Sequence, residues 1–544
     1  MTVPNQEASI AECYPMSVLP HITRLYSDYL AMADAPQALR HWYGAEPIGT
    51  SWMNRDVAVP HPDALADALL RQNVSFGAGN AALHHIELLR QGARAVVTGQ
   101  QVGLFGGPLL TLLKAATAVA RAKEATAATG IPHVPIFWLA TEDHDLAEVD
   151  QVTLLSKHAL ETLRLGLQSA GQPVGGLVLG TAVSDCLDQV SELLAYAPVC
   201  DILRECYTPA ETLGSAFGRF MSRLFAAYGL IVMDAAGPDF HALGAPALRA
   251  AIESTQELEA ALLTRTRELE SAGYHAQVLV KPGSSLLFLI DSETGIRHIL
   301  RHASADVWKA GPNTFSTAEL LAILDATPDR ISPNALLRPI FQDTILPTAA
   351  YIGGPAEIAY FAQSEVIYRN ILGRLTPVLP RFSATLIEPA IATVMASDEL
   401  TLEAVFAAKT SKELALRLGA RAMPIEGKRK IAAVGNAMDQ ELSVFTDYLA
   451  SLDSSLGRSA LVSASKMRYQ MNRLRRMAAT FEVQKQASLS KHAEAMVLHL
   501  FPNSHPQERL IGGVHFLAIS GDGLIDQLVI EAGEMCLGHS VVRI

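Results

Sequence analysis

Apolar runs separated by glycine-rich or acidic turns dominate residues 94–145. Residues 94–98 have the pattern of a short buried strand, and they lead into a loop with four glycines that ends at Pro108. Apolar residues then recur at helical spacing until Gly130, which predicts a helix that starts near Pro108. A second apolar run, residues 134–140, ends in the polar residues 141–145. The pattern therefore predicts a βαβ unit with a chemically distinctive turn at the end of each strand.

The same order of elements recurs further along the chain. Residues 348–352 predict a strand, Gly353-Gly354-Pro355 a turn, and residues 356–363 a helix. In open parallel sheets, ligands bind outside the carboxyl ends of the strands, where helix N-termini present unpaired N–H groups. Two similar helix N-termini on one sheet would flank a single cleft. The alternative is that each Gly-Gly-Pro is only a tight strand-to-helix turn.

Other segments complete the predicted core. Residues up to about 89 are predicted to be mostly helical, and residues 230–233 form a strand that ends at Asp234. Residues 278–281 are predicted to pair with residues 286–290 as a hairpin, because a Pro-Gly-Ser-Ser turn lies between them.

Residues 398–500 have a different pattern, which is continuously helical with few aromatic residues. Apolar residues step alternately by four and three in two runs with Gly457 between them, which is the heptad spacing of coiled coils. This spacing predicts an antiparallel helical hairpin or one continuous helix, after which residues 501–544 return to the core. The positions are Met438, Leu442, Phe445, Leu449, Leu452 and Leu456, then Ala460, Ala464, Met467, Met471, Leu474, Ala478 and Phe481.

Composition narrows the class of protein. The 544 residues are 49% hydrophobic and 18% charged, which indicates two or three well-packed modules, and the net charge of -12 argues against nucleic-acid binding. No basic, apolar leader and no apolar run near the roughly 20 residues of a membrane span is present, so a cytoplasmic protein without a membrane partner is expected. The five cysteines are scattered and form no CxxC pair, so neither a disulfide framework nor a cysteine-based zinc site is predicted.

The acidic turn after residue 140 carries the main catalytic candidates, Glu142, Asp143, His144 and Asp145. On an extended strand, Glu142 and His144 would point one way and the two aspartates the other; if the chain turns, several would converge. The cluster suits a magnesium-binding carboxylate set, a general base or a clamp on a substrate amine. The structural alternative is that some of these side chains cap the next helix or form ion pairs.

The glycine-rich loop suggests a phosphate-binding turn, because glycine lets the backbone approach phosphate oxygens closely. It matches neither GxGxxG nor GxxxxGK[ST], and its two glutamines would equally bind an amide or a sugar. Lys114 in the following helix could assist. The candidate binding residues here are Gly99, Gln100, Gln101, Gly103, Gly106 and Gly107.

A second group of binding candidates lies between residues 332 and 381. Arg338 and Arg381 suit bidentate recognition of a carboxylate or phosphate, although a surface salt bridge is the alternative. Polar and glycine residues nearby would shape a small-molecule pocket or serve only in turns. They are Asn334, Gln342, Asp343, Gly353, Gly354 and Glu357.

Several long motifs in this chain resemble those of the BshC family, the cysteine-adding enzymes of bacillithiol biosynthesis. The motifs lie at residues 97–109, 137–145, 332–339, 351–360 and 507–509, and therefore span nearly the whole chain. The resemblance implies an α/β fold, with a Rossmann-like parallel-sheet core and connecting insertions over residues 1–397. It also implies an all-α antiparallel coiled-coil arm over residues 398–500 that forms a homodimer.

The resemblance further implies a ligase that joins cysteine, through its carboxyl group, to the glucosamine amine of glucosaminyl malate. ATP or ADP, with Mg, is then the expected cofactor. Zinc is not expected, because the zinc ligands of related synthetase-type cysteine ligases are absent, as are their HxGH and KMSKS signatures. Two other hypotheses are a metal-dependent hydrolase with Asp143, His144 and Asp145 as ligands, and a non-catalytic adaptor that recruits partners through the helical arm.

Overall fold

The computed structural model describes residues 12–32, 37–44, 49–304, 306–521, 523–534 and 536–544. They form two compact units, one of residues up to 386 with 508–542 and 544, and one of residues 387–507 with 543. Within these described ranges, no single helix is long and apolar enough to span a membrane, although the bent pair Gly513–Ser520 and Gly523–Gly533 passes that test when the two are taken together.

Strands and helices alternate along the first unit, whereas helices make up almost all of the second. The strands are β1 Glu12–Tyr14, β2 Arg94–Gln101, β3 His133–Ala140, β4 Gln151–Leu155, β5 Leu160–Arg164, β6 Ile231–Asp234, β7 Ser284–Ile290, β8 Arg297–Ser304, β9 Val307–Ala310, β10 Asn313–Phe315, β11 Ile331–Pro333, β12 Thr348–Gly353, β13 Val378–Pro380, β14 Ala384–Ile387 and β15 His539–Arg543. The helices are α1 Arg24–Leu30, α2 Gln37–Tyr43, α3 Pro62–Ser75, α4 Asn80–Arg90, α5 Leu110–Thr129, α6 Leu146–Val149, α7 Ala182–Leu193, α8 Val199–Cys206, α9 Leu213–Leu224, α10 Pro238–Glu253, α11 Thr255–Ser271, α12 Thr317–Ala326, α13 Arg338–Ile345, α14 Pro355–Leu372, α15 Pro389–Ser397, α16 Leu402–Phe406, α17 Ser411–Ala422, α18 Ile425–Leu452, α19 Ser454–Lys485, α20 Ala487–Leu500, α21 Gln507–Leu510, α22 Gly513–Ser520 and α23 Gly523–Gly533.

A parallel sheet with the strand order β13-β12-β2-β3-β6 forms the centre of the first unit. Its strands are almost wholly buried, as expected where helices cover both faces of a parallel sheet. The predicted βαβ unit is confirmed as β2, α5 and β3, and the two strands that precede a Gly-Gly-Pro turn, β2 and β12, are neighbours. The carboxyl ends of β2, β3 and β12 therefore meet at one edge of the sheet.

The predicted hairpin of residues 278–281 with 286–290 is wrong. Residues 278–281 are not a strand, because the side-chain amide of Gln363 hydrogen bonds both backbone groups of Val278 and replaces a strand partner. Strand β7 instead pairs antiparallel with β8 and β11 in a second sheet, whose order is β10-β9-β8-β7-β11.

The second unit contains the predicted helical hairpin, formed by α18 and α19. Arg468 donates to Asp439 at 2.8 Å across the pair, and the backbone at Gly457 lies against Ala450, so the helices run antiparallel. The break is at Asp453, whose carboxylate caps α19, rather than near Gly457 as the heptads indicated. A Cβ at Gly457 would lie 2.7 Å from Ala450 Cα, so this glycine permits close helix packing instead of a turn.

The boundaries of the two units differ from those predicted from the helical pattern of the sequence. The chain leaves the first unit after residue 386, not 397, and returns at 508, not 501. Helices α15 and α16 pack on α20, and therefore belong with the arm. The sequence pattern does not reveal the first of these boundaries, because α15 follows β14 after a single residue and has no distinctive composition.

A disulfide joins Cys13 to Cys536, which corrects the expectation that the cysteines form no such bond. The two residues are 523 positions apart in sequence and meet because β1 pairs antiparallel with β15. The spacing of the cysteines along the sequence does not indicate this long-range pairing. Cys186, Cys200 and Cys206 are free and buried.

Candidate functional site

A cavity of about 710 Å³ lies in the first unit, at the carboxyl ends of β2, β3 and β12. This volume falls within the roughly 300–1,000 Å³ of small-molecule sites. Trp138 of β3 lines it, as do Pro108, which lies two residues before α5, and Pro355, which begins α14. The two turns therefore flank one cleft, as the repeated pattern suggested.

One wall of the cavity is acidic. The chain turns after Ala140, so that Glu142, Asp143 and His144 all line the cavity. The Gln101 Nε2 donates to Asp143 Oδ2 at 2.7 Å and to Glu148 Oε2 at 2.9 Å, which draws these two carboxylates together. Carboxylates converging beside a solvent-accessible imidazole are suited to binding a cation or an amine.

A second group of residues that line the cavity, the basic wall, begins with Lys114. Its ammonium group is buried and lies 2.5 Å from Glu357 Oε2, and it also donates to the Gly99 carbonyl at 2.7 Å and to Gln100 Oε1 at 3.0 Å. Burial lowers the pKa of Lys114, and Glu357 opposes that change. Glu357 also accepts from the Gly354 N–H at 2.8 Å, so the first N–H groups of α14 are partly satisfied within the protein.

Two further arginines line this cavity with fixed orientations. Arg338 donates to the hydroxyls of Tyr351 and Tyr360 at 3.2 and 2.8 Å. Burial lowers the pKa of Arg338, but the two tyrosines and Glu357 outweigh it and the net change is upward. The Cζ atom of Arg297 lies 3.7 Å from the centroid of the Phe288 ring. This stacking fixes the guanidinium group near Glu142 and Asp143.

The C-terminal segment completes the basic wall. Arg381 forms a bidentate ion pair with Glu508, with Nη1–Oε2 at 3.0 Å and Nη2–Oε1 at 2.5 Å. Burial raises the pKa of Glu508, but Arg381 outweighs this and the resulting pKa is about 2. Arg509 lines the cavity and makes no hydrogen bond or ion pair with any residue in the described part of the chain. Its guanidinium is therefore available to an anionic ligand.

Most of the candidates chosen from sequence lie around this cavity. Those that line it are Gly99, Gln100, Gln101, Glu142, Asp143, His144, Asn334, Arg338, Gly354, Glu357 and Arg381. The candidates that do not line it are Gly103, Gly106, Gly107, Asp145, Gln342, Asp343 and Gly353. Gln342 and Asp343 support the wall from behind, because Gln342 accepts from Arg338 at 3.1 Å and donates to Asp343 at 2.9 Å.

The second half of the glycine-rich loop, from Gly103 to Gly107, packs into the protein core and does not line the cavity. Gly106 has a φ of +87°, its N–H donates to the Tyr207 hydroxyl at 3.1 Å, and a Cβ there would lie 2.7 Å from the Phe220 ring. The loop glycines beyond Gly103 therefore serve a tight strand-to-helix connection. The cationic groups that line the cavity are side chains, namely Lys114, Arg297, Arg338, Arg381 and Arg509.

We expect Gly106→Ala to lower the free energy of unfolding by roughly 1–3 kcal/mol, because alanine is strained at this φ and would press on Phe220. Chemical denaturation measures the change. Gly176→Ala is the matched control, since its φ is not positive and a Cβ there meets nothing within 4 Å. Equal stability of the two variants would contradict the structural role of Gly106.

Several residues of the site were not singled out by sequence. They are Trp138, Glu148, His241, Phe288, Arg297, Tyr351, Tyr360 and Arg509. Tyr351, Tyr360 and Arg509 fall inside the long motifs and could have been selected there. His241 and Arg297 lie in elements of ordinary amphipathic pattern, and only the fold brings Arg297 to the cavity and His241 to Glu142.

No group of three His, Cys, Asp or Glu side chains is arranged to hold a metal ion among the residues described. In particular, Asp145 does not line the cavity with Asp143 and His144, because it lies at the start of α6. The ligand set that the hydrolase hypothesis requires is therefore not assembled within the described ranges.

Comparison with known proteins covers the whole chain. The family model described as "Bacillithiol biosynthesis BshC, N-terminal Rossmann-like domain" matches residues 14–382, and "Bacillithiol biosynthesis BshC, C-terminal coiled-coil domain" matches residues 384–544. A protein of Koribacter versatilis named "Putative cysteine ligase BshC" is 42% identical over 542 residues, 98% of this chain and 100% of that one. Proteins of the same name from Solibacter usitatus and Chlorobaculum tepidum are 36% and 32% identical, and the alignments cover 97% and 89% of this chain and 99% and 89% of theirs.

Proposed function

Because this chain belongs to the BshC family of bacillithiol biosynthesis, we propose that it is a ligase that joins the carboxyl group of cysteine to the glucosamine amine of glucosaminyl malate. The observation that best supports this proposal is the polarity of the cavity. Its lining combines the carboxylates of Glu142 and Asp143 with the guanidinium groups of Arg338 and Arg509. A reaction between an amine and carboxylates needs both kinds of wall in one site.

Each wall has a defined part in this proposal. The acidic wall binds the amine and takes up the proton that its nitrogen loses as the amide bond forms. The basic wall binds the carboxylates, and Arg509 contributes the cation without a protein partner among the described residues. Arg338 is held by Tyr351 and Tyr360, so little side-chain entropy is lost when it binds an anion.

The donor set also fits ATP or ADP as a cofactor. Arg338 and Arg509 would hold its phosphates, and the carboxylates of Asp143 and Glu148 would hold a magnesium ion. When bound, the nucleotide supplies the group that turns a cysteine carboxyl oxygen into a leaving group. The proposal assigns these roles to side chains, because the glycine-rich loop packs against Phe220 and Tyr207.

Oxygen-18 tracing tests this proposal. The protein is incubated with ATP, glucosaminyl malate and cysteine that carries oxygen-18 at both carboxyl oxygens. Mass spectrometry then measures the masses of the products. We expect one label in the amide product and the other in AMP or in inorganic phosphate, which identifies an adenylate or an acyl phosphate route. Formation of the amide with no label in AMP or in inorganic phosphate would contradict nucleotide activation.

We also propose that the arm forms a two-fold homodimer. Of the 13 heptad positions, Ala464 and Met471 are buried in the hairpin, five are half-buried and six are exposed. The exposed apolar residues are Phe445, Leu452, Leu456, Met467, Leu474 and Phe481. A continuous apolar stripe of this kind promotes association, and a second copy of the same hairpin offers a matching heptad surface.

We expect Phe445→Glu with Leu474→Glu to convert the dimer to monomers, because both charges fall on the exposed stripe. Leu449 and Met471 are unsuitable for this test, since they face the inside of the hairpin. Light scattering measures the mass, and circular dichroism reports whether the helices persist. Gln440→Glu, at an exposed polar position of α18, is the control. A folded double variant with the mass of two chains would place the dimer contact elsewhere.

A further inference from the structure

His241 lies directly behind the acidic wall of the cavity. It is in the first turns of α10, its side chain is wholly buried, and its ring packs against Phe341 with the centroids 5.1 Å apart. Its Nε2 is 2.9 Å from Glu142 Oε1, and its Nδ1 is 3.1 Å from the carbonyl oxygen of Pro328. Neither the sequence pattern nor the motifs assign a role to this residue.

Both ring nitrogens of His241 face oxygen atoms that can only accept a hydrogen bond. A neutral imidazole carries one proton and would turn a lone pair towards one of these oxygens, whereas an imidazolium satisfies both. The charged groups near the ring are also acidic, namely Glu142, Asp329 and Asp234, and Phe341 is uncharged. Burial lowers the pKa of His241, but Glu142 and Asp329 outweigh it, and the net change is upward.

Glu142 is thereby held through one oxygen only. Its Oε1 accepts from His241, and its Oε2 has no partner among the residues that the structure describes, although Glu142 lines the cavity. A carboxylate fixed at one oxygen by a buried imidazole ring keeps one rotamer. The free oxygen is then preorganised for a ligand.

We propose that His241 is a positioning residue, an imidazolium at neutral pH that fixes Glu142 as the acceptor for the substrate amine. This inference rests on the proposed function. As the nitrogen–carbon bond forms, the bond between the activated cysteine carbon and its leaving oxygen breaks, and the proton from nitrogen passes to Glu142 Oε2. His241 keeps both of its protons throughout and does not contact the substrate.

The first test examines the charge on His241 without any reaction. Protein labelled with nitrogen-15 in its 17 histidines is studied by NMR at pH 7.5, and the His241 signals are those lost in His241→Gln. We expect both nitrogens of His241 to carry protons at this pH, where an ordinary histidine is mostly neutral. A neutral ring would overturn the inference, and this result does not depend on the protein being a ligase.

The second test compares the pH dependence of kcat and KM. In His241→Gln the amide can still donate to Glu142 but carries no charge, and in His241→Phe both are lost. We expect kcat to fall by about tenfold in the first and by about a hundredfold in the second, with the alkaline decrease of the wild-type rate absent from both.

The rate is expected to fall on the alkaline side because the pKa of His241 is raised. The imidazolium charge is complete below this pKa and is lost as the pH rises through it. His158→Gln, at an exposed position, is the control and should keep the wild-type profile. Variants that retain the alkaline decrease with an unchanged kcat would overturn the positioning role. A wild-type protein that forms no product would instead overturn the proposed function.

Discussion

Arg381→Met is expected to lower the free energy of unfolding by roughly 3–5 kcal/mol, because it leaves a buried carboxylate without its counter-ion. Glu508 is only 1% exposed and accepts two hydrogen bonds from Arg381 and others from Ser383 and the Ala384 N–H. Methionine fills much of the arginine volume, so the loss measures the ion pair more than a cavity. Guanidinium denaturation at neutral pH measures the difference.

The pH dependence of this stability has a defined sign. The folded-state pKa of Glu508 is about 2, below its ordinary value of 4.5, so its stabilisation is complete above 4.5 and is lost as the pH falls towards 2. His539 in the same network has a pKa of about 4, below its ordinary 6.5, because burial disfavours its charge. The wild-type protein should therefore lose stability from pH 6.5 downwards, and its advantage over Arg381→Met should shrink below pH 4.5.

Two further variants sharpen this prediction. Glu508→Gln combined with Arg381→Met should recover part of the loss, because the buried charge is then removed. Arg71→Met breaks an ion pair with Asp239 in which both side chains are exposed, and should cost less than about 1 kcal/mol. Equal losses in Arg71→Met and Arg381→Met would show that Arg381 does not compensate a buried charge.

Glu142→Gln is expected to lower kcat by roughly 10²–10³-fold, because the amide cannot take up the proton of the attacking amine. The glutamine oxygen can still accept from His241, so the variant should remain folded. Steady-state kinetics measures the effect, and circular dichroism checks the fold. Asp145→Asn is the matched comparison, since its carboxylate lies outside the cavity, and it should keep its rate within about twofold.

A wild-type rate in folded Glu142→Gln would remove Glu142 from the mechanism. Loss of rate in Asp145→Asn to the same extent would show that the acidic turn acts through its net charge. In that case the contact of Glu142 with His241 would not explain the effect of Glu142→Gln on the rate.

The sequence predicted the parts of the site that follow strand ends. Strand and helix periods identified β2, α5, β3 and β12, and the carboxyl-end rule for parallel sheets then selected Glu142 and Asp143. The rule works because adjacent parallel strands place their ends together whatever the details of packing. It selected the glycine loop for the same reason, but whether that loop faces the cavity depends on Phe220 and Tyr207, which lie far away in sequence.

Long-range packing determines what the sequence did not reveal. Arg297 and Arg509 reach the cavity from β8 and α21, and His241 of α10 contacts Glu142 from behind; no local period indicates these positions. The Cys13–Cys536 disulfide depends likewise on the pairing of β1 with β15. At Gly457 the residue type was informative but ambiguous, since glycine serves close helix packing as well as turns.

The most direct test of the proposed activity and its site is mass spectrometry of a mixture of cysteine, glucosaminyl malate and ATP, with three forms of the protein. We predict an amide product whose mass is the sum of cysteine and glucosaminyl malate minus water, formed by the wild type and by Asp145→Asn, and strongly reduced with Glu142→Gln. Absence of this product with folded wild-type protein that binds both substrates would contradict the ligase activity. Equal product from all three forms would contradict the assignment of the reaction to this cavity.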